Sequence, residues 1–192
     1  MLGYHERYVA QQMKLPEPFD RDFRAATNSE IRSWSFGRIT KQRVSQSASL
    51  DDAIGTLADQ RIFGPSVANR CPCGKYGSEY IGMICDICGV KVTHIGERRK
   101  RFGHVEFGSG SVNHPFDSSV SIDCFPVIPA TYLESQTGNQ LCGYYEQLLS
   151  NPDALMPLVE FLSKMAAASL EWNTEDASIF TRGIALVLKN AT

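Results

Sequence analysis

The stretch CPCGKYGSEYIGMICDICGV, residues 71 to 90, carries two tight pairs of cysteines. The spacing is C-x-C-x11-C-x2-C, and its members are Cys71, Cys73, Cys85 and Cys88. A tight pair lets two sulfurs point at one ion, and zinc prefers a tetrahedron of four thiolates. A glycine follows each pair and permits the backbone turn that such a metal knuckle often needs. The pattern predicts two knuckles separated by a hairpin, which is a zinc ribbon (residues 71–88).

All four ligand positions of this site are cysteines, so no vertex stays open for water or substrate. We therefore expect one structural zinc ion rather than a catalytic one, contributing on the order of 10 kcal/mol to folding. The alternative is a set of ordinary cysteines or a redox pair, which the fourfold pattern makes the weaker interpretation. Cys124 and Cys142 lack ligand spacing and are interpreted as buried thiols.

The composition limits the function classes open to this chain. Its 192 residues suffice for one sizeable domain, or for one domain plus a small satellite. The net charge of −2 predicts no strong non-specific attraction to nucleic acid, so any contact with DNA or RNA must be local. No apolar run approaches the roughly 20 residues that span a bilayer, and residues 1–22 lack the apolar segment of a signal peptide. We expect a cytoplasmic protein with reduced thiols and no membrane contact.

Composition shifts along the chain predict four regions. They are an N-terminal arm (1–26), a region that includes the ribbon (27–107), a Gly- and Ser-rich linker (108–121) and a helical region (122–192). In the second region, residues 27 to 40 predict a turn followed by a strand. Residues 41 to 57 are polar and are expected to form an exposed arm.

The helical region shows apolar residues three and four positions apart. A first helix is expected from about Asn139, and proline directly after Asn151 predicts the start of a second helix that ends near Leu170. A third is expected over about 173 to 188. The predicted fold class is therefore α+β: a small β region with a four-cysteine zinc ribbon, followed by a C-terminal helical hairpin or three-helix unit.

Five motifs in and around the cysteines match one protein family. They are RSWSFG (32–37), RIFGP (61–65), CPCGKY (71–76), ICDICGVKVT (84–93) and ERRKRFGHVEF (97–107). In this order and spacing they resemble the N-terminal clamp region of the bacterial RNA polymerase largest catalytic subunit, β′. The resemblance covers roughly residues 27 to 107. Weaker likenesses follow in FPVIPATYLE (125–134) and in the terminal helices, which resemble the family's antiparallel clamp helices.

The resemblance implies a role in DNA-templated transcription, with polymerase subunits or sigma factor as protein partners. It implies that the four cysteines are zinc ligands in a domain beside the RNA exit path. It also places the family's zipper loop at about 41–57, its lid at 135–140 and its sigma-docking hairpin in the terminal helices. No small-molecule substrate is implied.

The chain departs from the family in several places. The loop KYGSEYIGM (75–83) has Lys75 as its only cation, whereas the family's loop is usually basic and one residue longer. Fewer cations weaken phosphate binding. A long stretch of the family is replaced by the linker, and the hairpin keeps only Lys164 where the family is Arg-rich, which argues against sigma binding. The catalytic aspartate cluster has no counterpart here, so no activity is expected from this chain alone.

Two hypotheses follow. In the first, the chain is a non-catalytic β′ clamp-like zinc-binding protein, either a polymerase subunit fragment or a polymerase-associated paralogue. In the second, it is a free-standing decoy or regulator that binds sigma factor or a polymerase-directed inhibitor or toxin. The missing stretch, the lost cations and the altered hairpin favour a free-standing paralogue over a subunit fragment, and the five motifs indicate transcription under either hypothesis.

Other side chains have both a functional and a structural interpretation. The basic run consists of Arg98, Arg99, Lys100 and Arg101. It is either a weak, local contact to DNA or RNA phosphates or a solvated turn. His104 and His114 are interpreted as packed or capping residues. Trp34 and Phe36 offer base stacking, but apolar packing under the ribbon is the stronger expectation.

Overall fold

A computed structural model describes residues 23–42, 49–108, 110–115, 117–128, 135–168 and 186–188. The helices are α1 (Asn28–Trp34), α2 (Gln60–Phe63), α3 (Ser135–Ser150) and α4 (Leu155–Ala168). The strands are β1 (Phe23–Ala25), β2 (Ser35–Arg38), β3 (Phe102–Glu106), β4 (Val112–His114), β5 (Asp117–Ile122), β6 (Cys124–Val127) and β7 (Leu186–Leu188). Short 3-10 helices lie at Ser78–Tyr80, Ile95–Lys100 and Pro152–Ala154. The mixture of small sheets and helices confirms the predicted α+β class.

A three-stranded sheet in the order β2-β3-β6 organises the fold. The central strand β3 runs parallel to β2, with Ser35 opposite Phe102, and antiparallel to β6, with His104 opposite Pro126. Two smaller antiparallel pairs, β1-β7 and β4-β5, complete the described strands. Because β2 and β3 are parallel, the chain between them must cross over, and this crossover (39–101) contains α2 and all four paired cysteines.

The main hydrophobic core lies between this sheet and the helices. Its fully buried side chains include Ile31, Phe63, Phe125, Leu141, Tyr145, Leu158 and Leu162. The Tyr145 hydroxyl accepts a hydrogen bond from the backbone N–H of Ile128 at 3.2 Å, so its polar end is paired inside the core. The second cluster is separate and consists of Cys71, Cys85 and Val92. We call residues 71–92 the cysteine ribbon.

The segment predicted as a turn before β2 is helix α1. Thr27 caps this helix, because its side chain accepts from the N–H of Glu30 while the Glu30 carboxylate accepts from the N–H of Thr27. This reciprocal arrangement is a capping box, whose T-x-x-E signature is present in the sequence. The strand predicted after it is confirmed as β2.

The segment predicted as a linker, residues 108–121, contains β4 and most of β5. Val112 lies opposite Ile122 in this antiparallel pair, and both Ile122 and His114 are buried. The Gly- and Ser-rich stretch is therefore partly folded against its neighbours, and the division of the chain into regions stays a prediction.

The first two C-terminal helices are confirmed as α3 and α4. Asn151 starts the turn between them, with its side-chain oxygen accepting from the N–H of Asp153 at 3.0 Å. Residues 135–140, expected in the place of a lid, belong to α3. Most of the third helix and the N-terminal arm lie outside the described residues. Where the third helix was expected to continue, Leu186–Leu188 forms strand β7 against β1, since a short apolar run suits a strand as well as a helix.

Within the described ranges, no helix is both long and apolar enough to cross a membrane.

Candidate functional site

The four paired cysteines of the ribbon converge on one point. All four Sγ atoms lie within 4.8 Å of one another. The Sγ of Cys73 lies 3.4 Å from that of Cys71 and 3.5 Å from that of Cys85. A tetrahedron with Zn–S bonds of about 2.3 Å has S–S edges of about 3.8 Å. The sulfurs are therefore close to the arrangement that one ion requires, and together they can hold a metal ion.

Two backbone turns place these sulfurs. In each knuckle the N–H of the first cysteine donates to the carbonyl five residues later, at 3.1 Å from Cys71 and 3.0 Å from Cys85. The glycine after each pair donates back to the carbonyl of that first cysteine, at 3.0 Å for Gly74 and 2.8 Å for Gly89. Both glycines have positive φ, 80° and 71°, which other residues rarely adopt. The expected role of the glycines is confirmed.

Backbone N–H groups favour the ionised form of the ribbon sulfurs. The N–H of Tyr76 donates to the Sγ of Cys71 at 3.2 Å. The N–H of Cys88 holds the pKa of the Cys85 thiol at about 7, although burial opposes this effect. For Cys73, the N–H of Lys75 lowers the pKa, but desolvation and the neighbouring sulfurs raise it to about 12. Some of the four cysteines are thus easily ionised, but all four cannot be thiolates at once unless a positive charge lies between them. A bound metal ion would supply that charge.

The basic run does not form one exposed patch. Arg98 and Arg101 are 6% and 5% exposed, and an Nη of Arg98 donates to the carbonyl of Gly64. Lys100 is exposed and lies 3.8 Å from the carboxylate of Glu97. The side chain of Arg99 lies outside what the structure describes. Two of the four residues are therefore built into the fold, and a phosphate contact over the whole run stays a prediction.

Both histidines are packed, as the sequence predicted. His104 Nδ1 lies 2.7 Å from Ser35 Oγ, and burial lowers the pKa of His104 despite the nearby Glu106. His114 is 2% exposed. Cys124 and Cys142 are buried thiols, which confirms their interpretation.

The two aromatic candidates differ. Trp34 has the expected apolar packing, but it packs against the main core rather than under the ribbon. Phe36 is 56% exposed, so the expected packing under the ribbon is wrong for this ring. The guanidinium of Arg101 covers it instead, with Cζ 4.8 Å from the ring centroid.

Sequence reasoning missed two features beside the cysteine cluster. A cleft of about 260 Å³ lies between the second knuckle and the segment 50–61, and Leu50, Arg61 and Ile87 border it. The ribbon also carries exposed apolar side chains at Ile81, Met83, Ile84 and Ile87, which are 58%, 50%, 65% and 68% exposed. The cleft could not be predicted because the segments that border it are distant in sequence. The signal for the apolar surface was the loop between the cysteine pairs, which has lost its cations and carries isoleucine and methionine.

No protein-family model matches the chain. Curated proteins that match are named DNA-directed RNA polymerase subunit beta′. The protein of Rhodopirellula baltica is 45% identical over 89 residues, which cover 46% of this chain and 6% of the relative. That of Lactobacillus delbrueckii subsp. bulgaricus is 44% identical over 85 residues, covering 44% and 7%. That of Levilactobacillus brevis is 34% identical over 159 residues, covering 76% and 13%. The resemblance is confirmed, and the chain spans only 6 to 13% of the length of these relatives.

Proposed function

We propose that this chain, a relative of one part of the bacterial RNA polymerase β′ subunit, acts in DNA-templated transcription as a non-catalytic, clamp-like, zinc-binding protein. The observation that carries the proposal is the similarity over 76% of the chain to a β′ subunit, combined with four convergent sulfurs. The proposal includes a cytoplasmic location and other polymerase subunits as partners.

The ion proposed for the ribbon is zinc. Four thiolates suit either zinc or an iron–sulfur cluster. Sulfurs that all lie within 4.8 Å of one another leave space for a single ion but not for a cluster of several atoms between them. Metal analysis of reduced protein purified without chelators tests this, with about one zinc per chain expected. A zinc content well below one, or iron with sulfide, contradicts the proposal.

The ribbon is proposed as a structural element rather than a reaction centre. Among the described residues, the cysteines form the one group of three or more His, Cys, Asp or Glu side chains that can hold a metal. With four sulfur ligands, the ion has no vertex for a substrate. The role of this part of the chain is therefore binding, and its partners decide the function.

Affinity purification of the tagged chain from its own cells tests the partner. Recovery of the other polymerase subunits in equal amounts is expected, and a Cys85→Ser variant serves as a control with a damaged ribbon. If polymerase subunits are absent from the purified material, the subunit proposal is wrong.

A second candidate, a decoy or regulator for sigma factor or a polymerase-directed inhibitor, is favoured by the ribbon surface. No Lys, Arg or His lies between Lys75 and Lys91, and Ile81, Ile84 and Ile87 are mostly exposed there. Such a surface suits a protein partner better than a phosphate backbone. Recovery of sigma factor or a small protein without polymerase subunits would support this candidate over the first.

A further inference from the structure

The cleft beside the second knuckle has two walls that are held by different parts of the fold. One wall is the segment 50–54, which leads into Gly55, whose carbonyl accepts from two backbone N–H groups at 2.9 and 3.0 Å. The other wall is the knuckle, with Ile87 and Gly89. Arg61 of α2 borders the same cleft and lies against the knuckle, since a Cβ on Gly89 would be 3.1 Å from Arg61 Cδ. The cleft is therefore a formed feature at the junction of the ribbon with the rest of the chain.

The size and lining of the cleft indicate what it can hold. Its volume of about 260 Å³ is below the roughly 300–1,000 Å³ of pockets that enclose a whole small-molecule ligand. It suits one or two side chains of a peptide instead. Leu50 and Ile87 at its border are 42% and 68% exposed, so the cleft is accessible from solvent. The apolar residues that line it are Leu50, Ala53, Ile54, Pro72, Ile87 and Val90.

The charged groups at the cleft determine the charge of the partner that suits it. Three carboxylates border the cleft, Asp51, Asp59 and Asp86, against one cation, Arg61. Arg61 donates two hydrogen bonds to Asp59, at 3.1 and 2.8 Å, so these two charges offset each other. Asp86 contacts Lys75 at 2.7 Å in an exposed ion pair, and a carboxylate has acceptor sites for a second cation. Asp51 is exposed, so the border of the cleft favours a basic partner over an acidic one.

We propose that this cleft docks a short peptide segment of a protein partner, with one apolar side chain inserted between Leu50 and Ile87 and an adjacent lysine or arginine at Asp51 or Asp86. This deepens the proposed function, on which it rests for the role of the ribbon as a binding element. The inserted side chain is stabilised because it leaves water, and the carboxylates at the border disfavour acidic segments. An apolar anchor in a small pocket with a polar rim is the arrangement that dominates the binding energy of many protein interfaces.

Selection from a phage-displayed library of random peptides on the purified, zinc-loaded full chain provides the probe. The enriched peptides are expected to share an apolar residue next to a lysine or arginine. The most enriched peptide is then synthesised with a fluorescent label, and its affinity for the wild type and for each variant is measured by fluorescence anisotropy. Replacement of its basic residue by glutamate is expected to weaken binding to the wild type.

Two pairs of variants test the cleft itself. Ile87→Ser is expected to weaken binding of the labelled peptide roughly tenfold, because one apolar wall is lost. Val67→Ser is its matched control, since Val67 is 59% exposed but does not border the cleft, and it should leave the affinity unchanged. Asp51→Lys is expected to weaken binding roughly threefold, whereas Glu79→Lys makes the same change of charge at an exposed ribbon residue outside the cleft and should have no effect. All four residues are exposed, and the variants are compared at equal zinc content.

Three results overturn the proposal: no enriched peptide, enriched peptides that are acidic or lack an apolar residue, or unchanged affinity in Ile87→Ser. Light scattering of the wild type adds a fourth, because a dimer that Ile87→Ser abolishes would make a second copy of the chain the occupant of the cleft. The proposed function fails separately, in the affinity purification. A chain that recovers polymerase subunits but binds peptides equally well with and without Ile87 refutes the cleft alone.

Discussion

Removal of the proposed zinc ion is expected to unfold the cysteine ribbon while the main core stays folded. The ribbon has its own small cluster of buried side chains, Cys71, Cys85 and Val92, which is separate from the core between the sheet and the helices. Two of these three residues are themselves candidate metal ligands. Without the ion, the two knuckles are joined by Val92, by the partly buried Tyr76 and by the ion pair between Lys75 and Asp86, whose exposed position makes its contribution small.

The magnitudes support a local transition. Full burial of one valine contributes about 1.5–3 kcal/mol, whereas fixing the backbone of one residue costs about 1–2 kcal/mol. The buried side chain of Val92 therefore offsets the ordering of only one or two residues of the ribbon. Zinc binding to cysteine and histidine ligands contributes about 10–16 kcal/mol in zinc-finger peptides. The ion is thus expected to be the main source of the ribbon's stability.

Hydrogen exchange followed by mass spectrometry, with and without a strong zinc chelator, measures this transition. The amide of Gly82, which donates to the Val92 carbonyl at 2.8 Å, and the amide of Val92, which donates to Met83 at 2.8 Å, should lose protection. Amides of β3 and α3 should keep it. Cys85→Ser should reproduce the effect without chelator. Unchanged protection in the metal-free ribbon, or loss of protection throughout the chain, would refute the reasoning.

Three further predictions concern the main core and its edges. Tyr145→Phe leaves the buried N–H of Ile128 without its acceptor and should lower the free energy of unfolding in urea by about 1–3 kcal/mol, whereas Tyr144→Phe should have little effect. Thr27→Ala removes the cap of α1 and should cost about 1 kcal/mol in the same assay. Burial lowers the pKa of His104 in the folded state. As the pH falls, the unfolded chain therefore takes up this proton before the folded chain does. The stability that the neutral histidine provides is present above its unfolded-state pKa of about 6.5 and is lost as the pH falls below that value.

Each of these has a clear contrary outcome. Equal losses in the two tyrosine variants would mean that the hydroxyl of Tyr145 is not paired as described. If the midpoint of urea unfolding is unchanged in Thr27→Ala, packing rather than the cap holds the start of α1 in place. His104→Gln should reduce the change in free energy of unfolding between about pH 7.5 and about pH 5.5. If the change is the same in the variant and the wild type, a group other than His104 causes it.

The cluster of four cysteines could be predicted because its geometry is local. The cysteine spacing and the glycines at Gly74 and Gly89 specify two knuckles without reference to the rest of the chain. The first two C-terminal helices could also be predicted, from the spacing of their apolar residues and from the cap at Asn151. Helix α1 was missed although its T-x-x-E signature is present, because seven residues are too few for a helical period to outweigh the alternation in the adjoining strand.

Features that depend on residues distant in sequence could not be predicted from local sequence patterns. The run at Arg98 to Arg101 is charged, and charge predicts exposure, yet the acceptor for Arg98 is a carbonyl 34 residues earlier in the chain. The composition of residues 108–121 predicts a linker, but the segment pairs as β4 and β5, His114 is buried, and the adjoining Ile122 belongs to the main core. Phe36 was expected inside and is exposed, because its strand lies at the edge of the sheet.

The crossover between β2 and β3 has a consequence for how this protein can diverge. The ribbon lies within residues 39–101, and both ends of that segment are fixed by neighbouring parallel strands, with Ser35 opposite Phe102. Within that segment, Ile62 and Phe63 belong to the main core, whereas the ribbon packs around its own small cluster and is in this sense a modular insertion. Ile81 and Ile87 on its outer surface are exposed and belong to neither core, so substitutions at such positions are expected to leave both cores unchanged. Partner choice can thus evolve in the ribbon while the sheet that carries it stays the same.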